Sequence, residues 1–237
     1  MSSLAHRSPL VLQDIHADVW RAHTLSQAVL AVLATGDAAL DAQLPGGGWP
    51  VGALTEILQA PGVHSEWRLL LPALARSGPG PVVLVAPPHV PFAPSLAAQG
   101  LAAQRLLCVN AAAPVQRLWA CEQALRCAEV SAVLAWLPQA RSDPLRRLQM
   151  AAAEHRKLLF VMRPAACRDE ASPAALRLYL QAAGLGANPG AADALQVHLL
   201  KRRGPPLDQP LHLQARPARL TLLLAAAHAL DCTPSGA

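Results

Sequence analysis

Aromatic residues are scarce in this chain: 3% of 237 residues, with a single Tyr and two Phe. The core must then be built largely from Leu, Ala and Val, within an apolar content of 53% that rules out wholesale disorder. A chain of this length buries one good core, with room for a small appendage. The five cysteines, Cys108, Cys121, Cys127, Cys167 and Cys232, form no CxxC pair. Their odd number, with no secretory signal, argues for reduced thiols packed as small core hydrophobes. The nine histidines show no HExxH or similar spacing, so no metal is expected. The start, "MSSLAHRSPL", lacks the apolar stretch of a secretory signal. The longest apolar run, "LTLLLAAAHAL" at 220–230, falls well short of the ~20 residues a membrane span needs. The expectation is a cytoplasmic protein with no membrane partner. No run of five or more Lys or Arg occurs, and a net charge of +5 tolerates nucleic acid without demanding it.

What is present is a succession of short apolar runs punctuated by 22 prolines. Residues 17–34, "ADVWRAHTLSQAVLAVLA", read as a helix anchored by Trp20, Leu30 and Leu33 and ended by Thr35-Gly36. A glycine turn at 46–48 precedes a strand at 53–58. After a loop through Pro61-Gly62, Ser65 caps a helix reaching about Arg76, with Pro72 expected to kink it. The runs at 81–86, 131–137 and 157–162 are continuous and apolar, as strands buried on both faces of a parallel sheet read. Helices are expected between them at 116–129, with Leu118, Cys121, Leu125 and Ala128 on one face, and at 142–155, opened by Ser-Asp-Pro. This alternation predicts an α/β fold. After Met162 the pattern switches to period two at 176–180, 195–200 and 211–215, predicting antiparallel strands separated by turns at 184–190 and 204–206. The sheet is then mixed and mainly parallel, flanked by helices. The last residues, "DCTPSGA", read as a frayed tail.

The stretch "TGDAALDAQLPGGGWPVGALTEI" at 35–57 resembles the segment entering the phosphate loop of a RecA-like core, and "APPHVPFAP" at 86–94 resembles the end of its second core strand. A narrower similarity follows from "LPGGGWPVGALTE", "RLLLPALA", "APPHVPFAP", "EQALR" and "LKRRG" in this order, which together look like the ImuA family. The resemblance implies a RecA-like core over residues 35–216, an N-terminal segment at 1–34 and a C-terminal helix or tail at 217–237. It further implies a noncatalytic adapter of a damage-induced mutagenesis cassette, bound to ImuB and its alpha-subunit-type polymerase, with RecA filaments and self-association as further contacts. The related SulA proteins, division inhibitors acting on FtsZ, share the truncated core and supply a second reading.

The residues a RecA-type ATPase needs are missing. A phosphate loop follows G-x-x-x-x-G-K-[ST], with backbone amides and Lys on phosphate and the hydroxyl on magnesium. The matching stretch here, "QAPGVHSEW" at 59–67, places Gly62 in the loop, Ser65 near the Lys position and Glu66 near the hydroxyl position, and no Lys occurs between 44 and 74. A carboxylate ~4 Å from a phosphate charge costs about 4 kcal/mol at an effective dielectric near 20. Glu66 instead suits the helix N-terminus as a built-in anion, or, on the plainer reading, faces solvent in the first turn. The strand at 81–86 ends in Ala-Pro-Pro-His rather than the catalytic glutamate that RecA carries, and the prolines make His89 part of a rigid turn. The strand at 131–137 offers Trp136 instead of a magnesium-positioning aspartate. No ATPase activity and no cofactor are expected.

The stretches matching RecA's DNA-contacting loops, 138–144 and 163–173, are short and lack an aromatic for stacking on single strands. Lys201, Arg202 and Arg203 form the one compact basic spot, either a weak phosphate contact or a solvated turn. A basic single-strand DNA-binding module is thus a third reading. Trp20, Leu30 and Leu33 either serve a partner or cap the chain's own sheet.

Overall fold

Seven consecutive buried residues, ALTEILQ, make β3 (Ala53–Gln59) the strand around which the sheet is built. The computed structural model describes residues 31–60, 63–182, 195–205, 207 and 209–213. Ahead of β3 come β1 (Val32–Leu33), a one-turn helix α1 (Ala38–Asp41) and β2 (Trp49–Pro50), with β1 and β2 paired antiparallel. Leu33, expected at the end of a helix, is therefore in a strand and packs half-buried on the core. Its carbonyl comes so close to Gly48 that a Cβ there would lie 2.4 Å from it. This close approach explains the third glycine of the turn. Gly46 and Gly47 adopt φ of +78° and +80°, the left-handed turn that glycine favours.

After β3 the chain alternates: α2 (Glu66–Ala75), β4 (Val82–Val85), α3 (Ala93–Ala98), β5 (Leu106–Val109), α4 (Pro114–Arg126), β6 (Ala132–Trp136), α5 (Ser142–His155) and β7 (Leu158–Pro164). Strands β8 (Leu176–Ala182), β9 (Leu195–Lys201) and β10 (Leu211–Leu213) follow. The eight-stranded sheet has the order β10-β9-β8-β3-β7-β6-β4-β5. Strands β3 to β8 pair parallel, and β9 and β10 add antiparallel. The fold is α/β with a mainly parallel, mixed central sheet flanked by helices.

The expected strand at 176–180 exists, but it is parallel to β3 and antiparallel only to β9. Its period of two arises because Leu176, Leu178 and Leu180 enter the core while Arg177 turns to a buried partner on β3. Strand β5, with the pattern LLCV, was not anticipated. It is an edge strand with Leu107 and Cys108 exposed, so it lacks a buried run. Helix α5 spans the expected residues, yet Arg141 rather than Ser142 holds its cap position, with no side-chain cap bond. Helix α4 ends at Arg126, which leaves Ala128 outside the helix and exposed. Helix α2 runs unbroken through Pro72, which faces solvent.

Two apolar layers sandwich the sheet. On one face Leu69, Leu70, Leu71 and Leu74 of α2 and Leu40 of α1 pack on Ile57, Leu84 and Phe160. On the other, Cys121 and Leu125 of α4 and Leu145 and Leu148 of α5 pack on Leu54, Val83 and Val133. Trp49 meets Phe160 edge-to-face at 5.4 Å, one of the few aromatic contacts this composition allows. Cys121 and Cys167 are the core hydrophobes expected, whereas Cys108 and Cys127 are exposed. No helix among the described residues is long and apolar enough to cross a membrane. The expected residues Trp20, Leu30 and Gly62, Cys232, the turn at 184–190 and the segment 217–237 lie outside the described residues.

Candidate functional site

The carboxyl ends of the parallel strands bring together four of the residues singled out from sequence, Ser65, Glu66, His89 and Trp136. Adjacent strands β4 and β6 send their connections in opposite directions, β4 through α3 to the outer edge and β6 through α5 toward β7. Such a switch point opens a crevice above the sheet, where open α/β folds place their ligands. Here the crevice is a cleft of about 610 Å³ walled by Gln59, Ala60, Pro87, Arg117, Pro138 and Met162.

The turn from β3 into α2 forms one side. Ser65 occupies the cap position of α2 but makes no side-chain cap bond. Instead its backbone N–H donates to Gln59 Oε1 at 2.8 Å, and Gln59 Nε2 donates to Glu66 Oε2 at 2.9 Å. Glu66 is only 2% exposed, which overturns the solvent-facing reading of that residue. The reason is local. The last residue of a fully buried strand carries an amide that needs both an acceptor and a donor, and the first turn of α2 provides them. The carboxylate also sits where the helix dipole favours an anion, a contribution of about 0.3–1 kcal/mol, up to ~2 when partly buried. His64 Nδ1 lies 3.8 Å from the other carboxylate oxygen, Oε1.

Across the crevice, Ala86 leaves β4 with φ +52°, outside the conformation usual for a residue with a side chain, and donates its N–H to Val109 O at 2.9 Å. His89, beyond Pro87 and Pro88, is exposed and packs edge-to-face on His64 at 4.9 Å between ring centres. Trp136 closes the end of β6 and is buried. The chain has two lysines, Lys157 and Lys201, and both are committed to backbone carbonyls. Lys157 reaches Ala128 and Val130 O at 2.6 Å each, and Lys201 reaches Ser172 O at 3.0 Å.

Behind the turn lies a buried ionic cluster that local sequence did not reveal. Glu56, in the middle of β3 and fully buried, accepts from Arg163 Nη1 at 2.7 Å and from Arg177 Nε at 2.5 Å. Arg163 Nη2 donates to Glu170 Oε2 and to Ala140 O, both at 2.7 Å. Arg177 also holds the carbonyls of Cys167 and Arg168. Arg163, expected to open a DNA-contacting loop, is thus inside β7 and buried, and residues 165–169 form a 3₁₀ turn tied to the same cluster. Burial alone would lower the Arg163 guanidinium, but its bonds to Glu56 and Glu170 outweigh that and raise it. Glu170 is held below the usual carboxylate range, chiefly by its bond to Arg163.

The basic hairpin sits apart. Arg202 donates to the carbonyl of Gln43 and to Pro205 O, fastening β9 to the chain just after α1. With Lys201 on Ser172, Arg203 alone of the three is exposed without a hydrogen bond to a described residue. The basic spot therefore works first as a clasp. In comparisons with known proteins, no protein-family model and no curated protein matches the chain.

Proposed function

We propose that the chain is a noncatalytic adapter with a RecA-like core, resembling ImuA, that binds ImuB and its associated polymerase in error-prone translesion synthesis, with RecA as a further contact. The observation that carries the noncatalytic part is the buried Gln59–Glu66 pair, since a carboxylate stands at the helix start where a nucleotide phosphate would need to sit. The strand order, with β3 flanked by β7 and β8 and followed by a turn and helix, is compatible with the RecA-like reading. A core that retains its sheet while its loop lacks Lys, and its strand ends lack the Glu and Asp of the enzyme, has its surfaces left to work with. Arg203 offers a weak DNA contact at most.

The test is co-purification of the full-length chain with ImuB, beside a chain lacking residues 1–30, which leaves β1 intact. Capture by the full-length chain supports the adapter. Loss on truncation assigns the contact to the leading segment with Trp20 and Leu30. Failure of the folded full-length chain to capture ImuB sinks the reading, and lengthened, undivided cells on overexpression would turn it toward an FtsZ-binding inhibitor. Saturable binding of a fluorescent ATP analogue at micromolar concentration would sink the noncatalytic part.

A further inference from the structure

The chain contains two phenylalanines, and the fold treats them oppositely. Phe160 is 1% exposed in β7, whereas Phe92 is 72% exposed, and Val90, two residues earlier, is 87% exposed. Both lie in "PPHVPFAP" at 87–94, which holds four prolines. Proline rings fix φ at 87, 88, 91 and 94, and the residue before a proline is pushed toward extended backbone. The segment is also pinned at both ends. Ala86 bonds to Val109 O, and α3 is seated by buried Leu96 and Leu101. The core is closed without Val90 or Phe92, so the fold gains nothing from presenting them. In extended backbone an i, i+2 spacing puts two side chains on one side of the segment.

We propose that this proline-braced ridge is the surface by which the chain seats in an apolar, acid-rimmed groove of its protein partner. The inference rests on the adapter reading and names its contact. A pre-stiffened segment loses little entropy on docking, which is why grooves recognise proline-rich ligands efficiently. The rim follows from charge: no Asp or Glu occurs between Glu66 and Glu122, and two arginines of that stretch flank the ridge, Arg68 beside Val90 and Phe92 and Arg117 in the crevice beside Pro87 and Pro88. Exposed Arg68 lines a cavity of about 970 Å³ with Val90 and Phe92. The acids lining it are Glu66, which is buried, and Asp37, whose carboxylate already caps α1.

The experiment measures the affinity of the full chain for ImuB, comparing unaltered protein, Val90→Asp/Phe92→Asp and, as an exposed apolar control on another surface, Trp119→Asp. Thermal melts establish that each variant is folded, as exposed positions allow. The expected result is a loss of ~100-fold or more for the double change, in keeping with central aromatic anchors, and little change for Trp119→Asp. Binding of the double variant within about 3-fold of the unaltered chain overturns the ridge while leaving the adapter standing, since substitutions off an interface's anchors are near neutral. Absence of binding by the unaltered chain overturns both. A change in the chain's own sedimentation on substitution would assign the ridge to self-association and overturn the proposal.

Discussion

Gln59 and Glu66 close the turn between β3 and α2 on each other: the amide of one donates to the carboxylate of the other at 2.9 Å, and both are buried. The same amide accepts the Ser65 N–H, so one side chain satisfies the strand end, the helix start and the acid between them. A phosphate loop leaves such backbone donors open for its ligand. Here at least one is consumed within the chain.

Removing the acid should expose what it does. Glu66→Ala leaves the Gln59 amide buried without its acceptor, at a cost of about 1–3 kcal/mol, whereas Glu66→Gln keeps an oxygen there and loses less. Urea unfolding of the two variants reads the difference directly. Equal stability of all three proteins would show that the pair contributes nothing, and nucleotide binding by either variant would show that the acid was blocking a competent site.

The Glu56 cluster should be the most sensitive point of the fold. Glu56→Ala strands Arg163 and Arg177 in the interior without their shared carboxylate, and breaking a buried pair in this way costs roughly 3–5 kcal/mol. For a chain of this size that is about 6–20 °C in melting temperature. A melt within a degree or two of the unaltered chain would mean that the guanidinium groups find other partners or water.

Acid should weaken the fold through Glu170. Its carboxyl is held below its ordinary value of 4.5, chiefly by the bond to Arg163. A group whose folded value is depressed contributes stability that is fully present above the unfolded value and lost as pH falls through the folded one. Unfolding free energy should therefore fall as pH drops below 4.5, and Glu170→Gln should flatten that part of the profile. An identical slope in the variant would remove Glu170 from the account.

Much of the sheet was legible because strands buried on both faces have no choice but to be apolar throughout, as "VVLV" of β4 and "AVLAW" of β6 are. Edge strand β5 escaped for the converse reason, and β1 because two residues carry no periodicity. The parallel pairing of β8 was hidden by its alternation. The polar member, Arg177, is buried against an acid 121 positions earlier, and no local pattern encodes a separation of that kind. Glu66 was readable as an anion at a helix start. Its burial was not, since that depends on Gln59 at the end of the preceding strand.

The cysteines should sort by environment. Cys121 is pushed up to about 12 by burial, with the neighbouring Glu122 charge adding to it. Cys167 is likewise raised, first by burial, beside the ionic cluster. The thiolate is the reactive species, so both should resist a thiol reagent at about pH 8 until the fold opens. Cys108 on β5 and Cys127 after α4 are exposed and should react in a fast phase. In a Cys232→Ser background, changing Cys108 and Cys127 to Ser should abolish that phase and leave two slow thiols released by denaturant. Rapid labelling of Cys121 in the folded protein would mean that α4 separates readily from the sheet, and the helix layer over β4 and β6 would then be far looser than its packing implies.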